Sequence, residues 1–426
     1  MGGNPGGAGG IDALVRDDGR VHSTIYTSQE IFDLEMERIF HRGWVYVGHE
    51  SEVPNAGDYR RRTIGRQPVI LVRGSDTRVR LLANRCRHRG ALVCENDKGN
   101  AKQFRCWYHG WSYDDTGRLI SVHAPEGYDQ TLDFEGNSLT GVPRLDSYRG
   151  FLFASFSPTG KSLAEHLGRA AGYMDISIDA SPAGEVALDY GVHRTKYHGN
   201  WKLVGMDGYH PTVLHASMFS LRSKMGQASY QDPWEDSSAS ATRHLDNGHV
   251  MLDLTGSRMH NLQEHLDTWE KVEGGPEYVR AMRAAYGRER GDYLLAQMGD
   301  PHMGVFPNLQ LIGSHARVVI PIAPDLTEVH MFPMRLLGVP DGVNEYRLRR
   351  HEFSYGPASF VSPDDAEIFE RTQIGMMAEA DPWLNLTRGI GREMRAADGS
   401  IAGRITDEIP QRYQLQAWKD MMSEAA

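Results

Sequence analysis

Cys86-Arg87-His88-Arg89-Gly90, followed by Cys106-Trp107-Tyr108-His109-Gly110-Trp111, reads C-x-H, seventeen residues, C-x-x-H. Each stretch puts one thiol and one imidazole on a tight loop. A [2Fe–2S] cluster can then take both thiolates on one iron and both imidazoles on the other, with Cys86, His88, Cys106 and His109 as ligands. Exchanging two thiolate anions for neutral imidazoles lowers the ligand charge and raises the reduction potential, so such a cluster accepts electrons from an ordinary ferredoxin. Structural zinc uses the same residue types, but zinc fingers group a cysteine pair ahead of a histidine pair. Here each loop is mixed, which favours the cluster and a chain that handles electrons.

Short β-rich runs bounded by glycine and aspartate surround the loops. They are Val45-Tyr46-Val47-Gly48, Pro68-Val69-Ile70-Leu71-Val72-Arg73 and Val79-Arg80-Leu81-Leu82-Ala83-Asn84, with a return through Gly150-Phe151-Leu152-Phe153-Ala154-Ser155-Phe156. They predict a small antiparallel β domain over 40–157. Ahead of it, Thr27-Ser28-Gln29-Glu30 reads as a capping box, and Phe32, Met36, Ile39 and Phe40 recur at helical spacing. Residues 1–39 are expected to hold a loose glycine-rich opening and a helix of about four turns that belongs to the catalytic body. Beyond Ser157, strands such as Val318 to Ile322 and Glu328 to Phe332 mix with helices such as Asp364 to Glu379 and Pro410 to Met422. Strict alternation of a doubly wound sheet is missing. The expected class is α+β, with residues 158–426 forming a catalytic domain in which an antiparallel sheet is flanked by helices.

The 426 residues are 40% hydrophobic and 24% charged, enough to bury a full core in two or more domains. A formal charge of −10 offers no basic field for phosphate backbones, so nucleic acid is not an expected partner. No apolar run approaches the roughly 20 residues of a membrane span, and no export signal follows Met1. A cytoplasmic location is expected. Two of the three cysteines are cluster ligands, leaving Cys94 as a small core residue in Ala91-Leu92-Val93-Cys94.

Electrons need a destination, and the best candidate is Asp207-Gly208-Tyr209-His210-Pro211-Thr212-Val213-Leu214-His215. Spacing alone is weak support, because four pairs read H-x₄-H: His193 with His198, His210 with His215, His244 with His249, and His260 with His265. On a regular helix such residues lie roughly 140° apart, so joint ligation requires a distorted turn, and Pro211 supplies a cause. Two histidines hold non-haem Fe(II) with one carboxylate from elsewhere. Asp365 is the candidate, in Ser362-Pro363-Asp364-Asp365, where Ser362 is expected to cap a helix whose first turn holds both aspartates. One of the two can instead serve the helix dipole.

Together these segments resemble the large (α) subunit of Rieske non-haem iron aromatic-ring-hydroxylating oxygenases, from Trp44 to Met422. Softer family-like stretches include Gly57-Asp58-Tyr59, Asn84-Arg85-Cys86, Asn200-Trp201-Lys202, Phe306-Pro307-Asn308-Leu309 and Thr406-Asp407-Glu408. The resemblance implies a Rieske [2Fe–2S] cluster on Cys86, His88, Cys106 and His109, and a mononuclear Fe(II) on His210, His215 and Asp365. It implies that Asp207 bridges the first iron histidine to a cluster histidine of a neighbouring subunit in a head-to-tail trimer. A metal-bound histidine commonly gives its second N–H to a carboxylate, which agrees. It further implies electrons from a ferredoxin or flavin reductase, O₂ as co-substrate, and cis-dihydroxylation or hydroxylation of an aromatic substrate. The assembly is expected to be α₃β₃ with a small β subunit, or a bare α₃ trimer. A monooxygenase or O-demethylase, or a non-catalytic Rieske electron carrier, is the alternative. One departure stands out: only Leu203-Val204-Gly205-Met206 separates Asn200-Trp201-Lys202 from Asp207, so the family's substrate contacts do not transfer.

Val204, Met206, Val213, Leu214, Met218 and Phe219 suit either a flat apolar ligand or ordinary core. Arg222, Arg243 and Arg258 are candidate anchors for a substrate carboxylate.

Overall fold

The computed structural model describes residues 8–128, 132–211, 215–217, 220, 224, 239–359 and 361–423, apart from the side chains at 8, 9 and 207. The loose opening expected at 1–7 lies outside them. So do Val213, Leu214, Met218, Phe219 and Arg222. The chain forms two compact units, Phe40–Leu163, and Met1–Ile39 with Ala164–Ala426.

The first unit is built of three small antiparallel sheets. Their strands are β1 (Val45–His49), β2 (Asp58–Ile64), β3 (Gln67–Arg73), β4 (Val79–Ala83), β5 (Lys98–Asn100), β6 (Gln103–Arg105), β7 (Ser112–Asp114), β8 (Leu119–Ser121), β9 (Arg144–Tyr148) and β10 (Phe151–Ser155). Strand orders are β9-β10-β1, β4-β3-β2-β5 and β6-β7-β8. Ile64 pairs with Gln67, so β2 and β3 meet through a two-residue turn, where Gly65 takes φ +53°. Apolar side chains from the last two sheets, among them Ile70, Val72, Leu82, Phe104, Trp111 and Tyr113, close a core that also takes Cys86, Cys94 and Cys106.

In the second unit, β11 (His193–Tyr197), β12 (Ala241–His244), β13 (Val250–Asp253), β14 (Met303–Val305), β15 (Leu309–Ile312), β16 (His315–Ala323), β17 (Leu326–Pro333), β18 (Met394–Arg395) and β19 (Ile401–Arg404) make one antiparallel sheet. Its order is β11-β17-β16-β15-β14-β13-β12-β19-β18. The main helices are α1 (Gln29–Glu35), α2 (Leu262–Lys271), α3 (Gly275–Tyr286), α4 (Arg288–Gln297), α5 (Asp341–Tyr355), α6 (Val361–Gly375) and α7 (Ile409–Ser423). Both expected strands and the expected helix Pro410 to Met422 lie in these elements, the helix expected over Asp364 to Glu379 starts three residues earlier and ends at Gly375, and the mixed α+β class holds. None of the helices among the described residues is long and apolar enough to cross a membrane.

Two caps differ from expectation. Ser28 rather than Thr27 caps α1, accepting from the Ile31 N–H at 3.3 Å, because Thr27 closes a short preceding helix at Thr24–Thr27. Ser362 is no cap either. It lies inside α6, and its hydroxyl donates to the Tyr355 carbonyl at 3.3 Å.

Glu35 ties the second unit together. Its buried carboxylate accepts from Trp201 Nε1 at 2.7 Å, Lys202 Nζ at 2.5 Å and Trp418 Nε1 at 2.7 Å. Burial pushes the Lys202 ammonium down from its usual range, and Glu35 opposes that push. Removing one member of a buried ion pair strands the other, at about 3–5 kcal/mol. Glu35→Ala is therefore expected to cost about that much stability, seen as a lower midpoint of urea unfolding followed by tryptophan fluorescence.

Candidate metal centres

The two cysteine–histidine loops are near copies of one another. In the first, the Cys86 N–H donates to Ala91 O at 2.8 Å and the Gly90 N–H to Cys86 O at 2.9 Å. In the second, the Cys106 N–H donates to Trp111 O at 2.8 Å and the Gly110 N–H to Cys106 O at 3.0 Å. Both loops turn back through a glycine in the left-handed region, with φ +77° at Gly90 and +72° at Gly110. A Cβ there is strained, so the glycine after each histidine is part of the loop's geometry.

Asn84 locks the first loop. It accepts from the Val93 and Cys94 N–H groups at 2.9 and 2.8 Å and donates to Cys94 O at 2.7 Å. The Tyr113 hydroxyl lies 3.4 Å from Cys86 Sγ and accepts from the Arg87 N–H at 3.1 Å. Cys86 and Cys106 are buried within reach of each other, and burial pushes the Cys106 thiol up. The His88 and His109 rings stand 4.6 Å apart, with His88 stacked on Trp111 at 5.1 Å. His88 Nδ1 is a buried ring nitrogen with no hydrogen-bond partner. Two paired thiols and an orphaned imidazole nitrogen are the donor set a mixed-ligand [2Fe–2S] cluster requires.

The second site is assembled from distant elements. After Trp201 and Lys202 the chain widens into a π-helical turn over Leu203–Asp207 and leaves the helix at Gly208. The distortion thus precedes His210, and Pro211 follows it. Tyr209 is buried, and its hydroxyl occupies the space that a Cβ on Gly304 of β14 would need. His210 and His215 turn their Nε2 atoms toward one point, 2.5 Å apart. Asp364 Oδ2 lies 2.9 Å from His215 Nδ1. A carboxylate accepts there, so Nδ1 carries the proton and Nε2 presents its lone pair, the tautomer a metal needs. Asp365 Oδ1 is 3.8 Å from the same nitrogen. Ligand atoms of His215, Asp364 and Asp365 lie within 4.8 Å of one another. Burial, opposed chiefly by Arg317 and His215 and reinforced by Asp364, pushes the Asp365 carboxyl up to about 6. Two convergent imidazoles and a desolvated carboxyl fit a ferrous ion.

Residues of two other H-x₄-H pairs have structural partners. His244 stacks on Tyr413 at 4.4 Å, His249 accepts from the Phe306 N–H at 3.0 Å, and His193 Nδ1 is 3.3 Å from His351 Nε2. His260 is exposed, and His265 is half-buried within α2. Of the arginines considered as anchors, Arg243 is paired with Asp253 and Arg258 with Asp300, each at 2.7 Å. Sequence reasoning missed Asn84 as a loop lock, Glu35 as a hub and Arg317 beside Asp365. Only Asn84 carried a signal, its place two residues before Cys86.

Two family models match the chain: the Rieske [2Fe-2S] domain over residues 43–140, and the ring hydroxylating alpha subunit (catalytic domain) over residues 183–424. The large subunit of 2-halobenzoate 1,2-dioxygenase from Burkholderia cepacia is 33% identical over 390 residues, covering 87% of this chain and 80% of that one. The alpha subunit of toluate 1,2-dioxygenase from Pseudomonas putida is 31% identical, covering 86% and 82%. A solved structure of naphthalene 1,2-dioxygenase with indole bound in the active site superposes with a TM-score of 0.83 at 25% identity, over 97% of this chain and 95% of that one.

Two measurements follow from the geometry. Asp365→Ala is expected to keep the cluster's visible absorption and lose the mononuclear iron. Asp364→Ala is expected to retain both with roughly 10–100-fold weaker Fe(II) affinity, read by iron analysis and titration of metal-stripped protein. Because Asp365 must lose its proton to bind metal, Fe(II) uptake should strengthen as pH rises through about 6.

Proposed function

The chain belongs to the ring-hydroxylating oxygenase alpha subunits, with a Rieske [2Fe–2S] domain ahead of a catalytic domain that binds mononuclear iron, and on that footing we propose that it cis-dihydroxylates an aromatic ring. The reaction adds both atoms of O₂ to adjacent ring carbons and consumes two electrons and two protons. The observation that carries this reading is the convergence of His210 and His215 on one point beside Asp365, with Asp364 setting the tautomer of His215.

When bound, the two metal centres supply the electrons and activate O₂. The protein's own residues do the rest. His210, His215 and Asp365 would hold a ferrous ion, which would supply the centre for O₂ activation. Asp364 keeps the His215 proton on Nδ1. Cys86, His88, Cys106 and His109 hold the cluster, with Asn84 and Tyr113 fixing the loop that bears the first pair. Asp207, three residues before His210, would connect that histidine to a cluster histidine of a neighbouring subunit in a trimer. The electrons come from a ferredoxin or a flavin reductase, and a small β subunit completes an α₃β₃ assembly in the cytoplasm. Relatives named for halobenzoate and toluate make a single-ring carboxylate the first substrate to try.

Protein reconstituted with a generic ferredoxin system is expected to take up O₂ only with an aromatic substrate present and to form a product heavier by two oxygen and two hydrogen atoms. A gain of one oxygen would instead make it a monooxygenase, and no substrate-dependent uptake would make it an electron carrier. Asp207→Asn should leave both iron contents intact while lowering turnover by roughly 10–100-fold, the usual effect of altering a metal ligand's carboxylate partner.

A further inference from the structure

We propose that Arg317, in the small cleft it shares with Asp365, binds one monovalent inorganic anion of halide size, and that this anion and the ferrous ion strengthen each other's binding. The proposal rests on the iron site of the reading above and adds to it a ligand that is neither substrate nor oxidant.

Arg317 of β16 pairs with Gln310 of β15 on one side and Met331 of β17 on the other, so it stands inside the sheet rather than at an edge. Only 6% of the residue is exposed. Its side chain makes no hydrogen bond and no ion pair among the described residues, and Nε is a buried donor without a partner. The contact it does make is with an aromatic ring, its central carbon lying 5.5 Å from the middle of Tyr355. Other arginines of the unit are better served. Arg243 and Arg258 each meet an aspartate at 2.7 Å, and the buried Arg347 donates to Met298 O at 2.6 Å. A buried guanidinium with neither bond nor counter-charge is costly.

Size limits what can answer that charge. Arg317, Asp365 and the hydroxyl-bearing Thr195 line the cleft together with Val204, Met331 and Phe369. Its volume is about 30 Å³, above the roughly 10–15 Å³ that one water-sized particle needs and too small for an organic ring. The occupant is therefore a single small particle.

Charge selects its sign. Asp365 is near enough for Arg317 to favour its ionised form, yet the two form no ion pair among the described residues, and this carboxylate is the one the metal claims. Asp300 is cancelled by Arg258. Arg317 and a ferrous ion would together bring three positive charges against the two negative charges of Asp364 and Asp365, and one monovalent anion cancels the remainder. Without the ferrous ion the same groups, with both carboxylates ionised, sum to one negative charge. The cleft should thus take the anion with the metal and release it without, and such coupling is reciprocal. A halide has no fixed geometry to satisfy and can accept from any of the guanidinium N–H groups.

The test titrates Fe(II) into protein that keeps its cluster but has its mononuclear site emptied, at one ionic strength in chloride, bromide, sulfate or gluconate, with the cluster's visible absorption as the folding control. Chloride and bromide are expected to tighten Fe(II) binding by roughly 5–150-fold over gluconate, the usual span of coupling between two sites. Sulfate, too large for the cleft, should match gluconate. Arg317→Met should abolish the halide effect, and Arg317→Lys should keep part of it, since an ammonium retains the charge without the fork. Equal Fe(II) affinity in chloride and gluconate overturns the proposal. So does a halide effect that survives in Arg317→Met, which would put the halide on the iron itself. Should Arg317→Met not fold, an undiminished halide effect in Arg317→Lys, or an effect shared by sulfate, overturns it equally. If the halide effect depends on Arg317 but no ring is oxidised, the oxygenase reading fails and the anion site stands. If rings are oxidised while Fe(II) binding ignores halide in wild type, the anion site alone fails.

Discussion

A single buried carboxylate holds the catalytic unit in register. Glu35 collects the indole N–H groups of Trp201 and Trp418 and the ammonium of Lys202. Glu35 sits at the end of α1 and its partners come from the segment entering the iron turn and from α7, so three stretches far apart in the chain share one charge. Both ions are wholly buried. A pair so placed contributes little net attraction after desolvation, but losing either partner is severe, and that asymmetry selects one arrangement of the three segments. Lys202 also lies 5.3 Å from the Tyr26 and Trp201 rings, so the cation is wrapped as well as paired. The π-helical turn over Leu203–Asp207 begins directly after it. A widened turn is a strained element, and it needs a firm anchor at its start if the histidine beyond it is to be aimed.

The far end of that turn is held by the sheet. Gln310 donates to Val204 O at 2.7 Å, Gln414 of α7 donates to Gly205 O at 3.2 Å, and Gly304 leaves room for Tyr209. Asn200 adds donors to the carbonyls of Tyr26 at 3.2 Å and Pro324 at 2.8 Å, and its N–H meets Gln373 of α6 at 2.9 Å. Through Gln373 the turn is tied to the helix that carries Asp364 and Asp365. The two halves of the iron site are thus braced against each other by neutral hydrogen bonds.

The two metal centres are built on different principles. The cluster site is local: two hairpin-like loops close on themselves by the same pair of backbone bonds and the same left-handed glycine. Little outside the small β unit is needed, and Asn84 and Tyr113 supply the remaining support. The iron site is the opposite case. Its histidines and its carboxylates lie some 150 residues apart, the His215 to Asp364 bond spanning 149 positions. Its quality depends on every tether just described, so mutations remote from it should reach it more easily than they reach the cluster.

This difference explains what was legible. The two cysteine–histidine loops could be read from spacing alone, because a loop of fixed length dictates its own geometry wherever it sits. The α+β class and the main strands and helices followed from periodicity. His210 and His215 stood out from three similar pairs only through the neighbouring Pro211 and the family resemblance, and the distortion proved to be a π-helical turn ahead of them. Ser362 as a cap and Thr27 as a cap were misread, since α6 already includes Ser362 and Thr27 ends a short helix of its own. Arg243 and Arg258 resembled free cations in sequence, and folding paired both with aspartates. The amino-acid sequence by itself determined the cluster motif, the class of fold and the residue types for iron, because these depend on contacts a few positions long. Only the tertiary structure decided that Asp364 orients His215 and that Glu35 anchors the turn, because each depends on which distant side chains share a buried space and whether their charges cancel there.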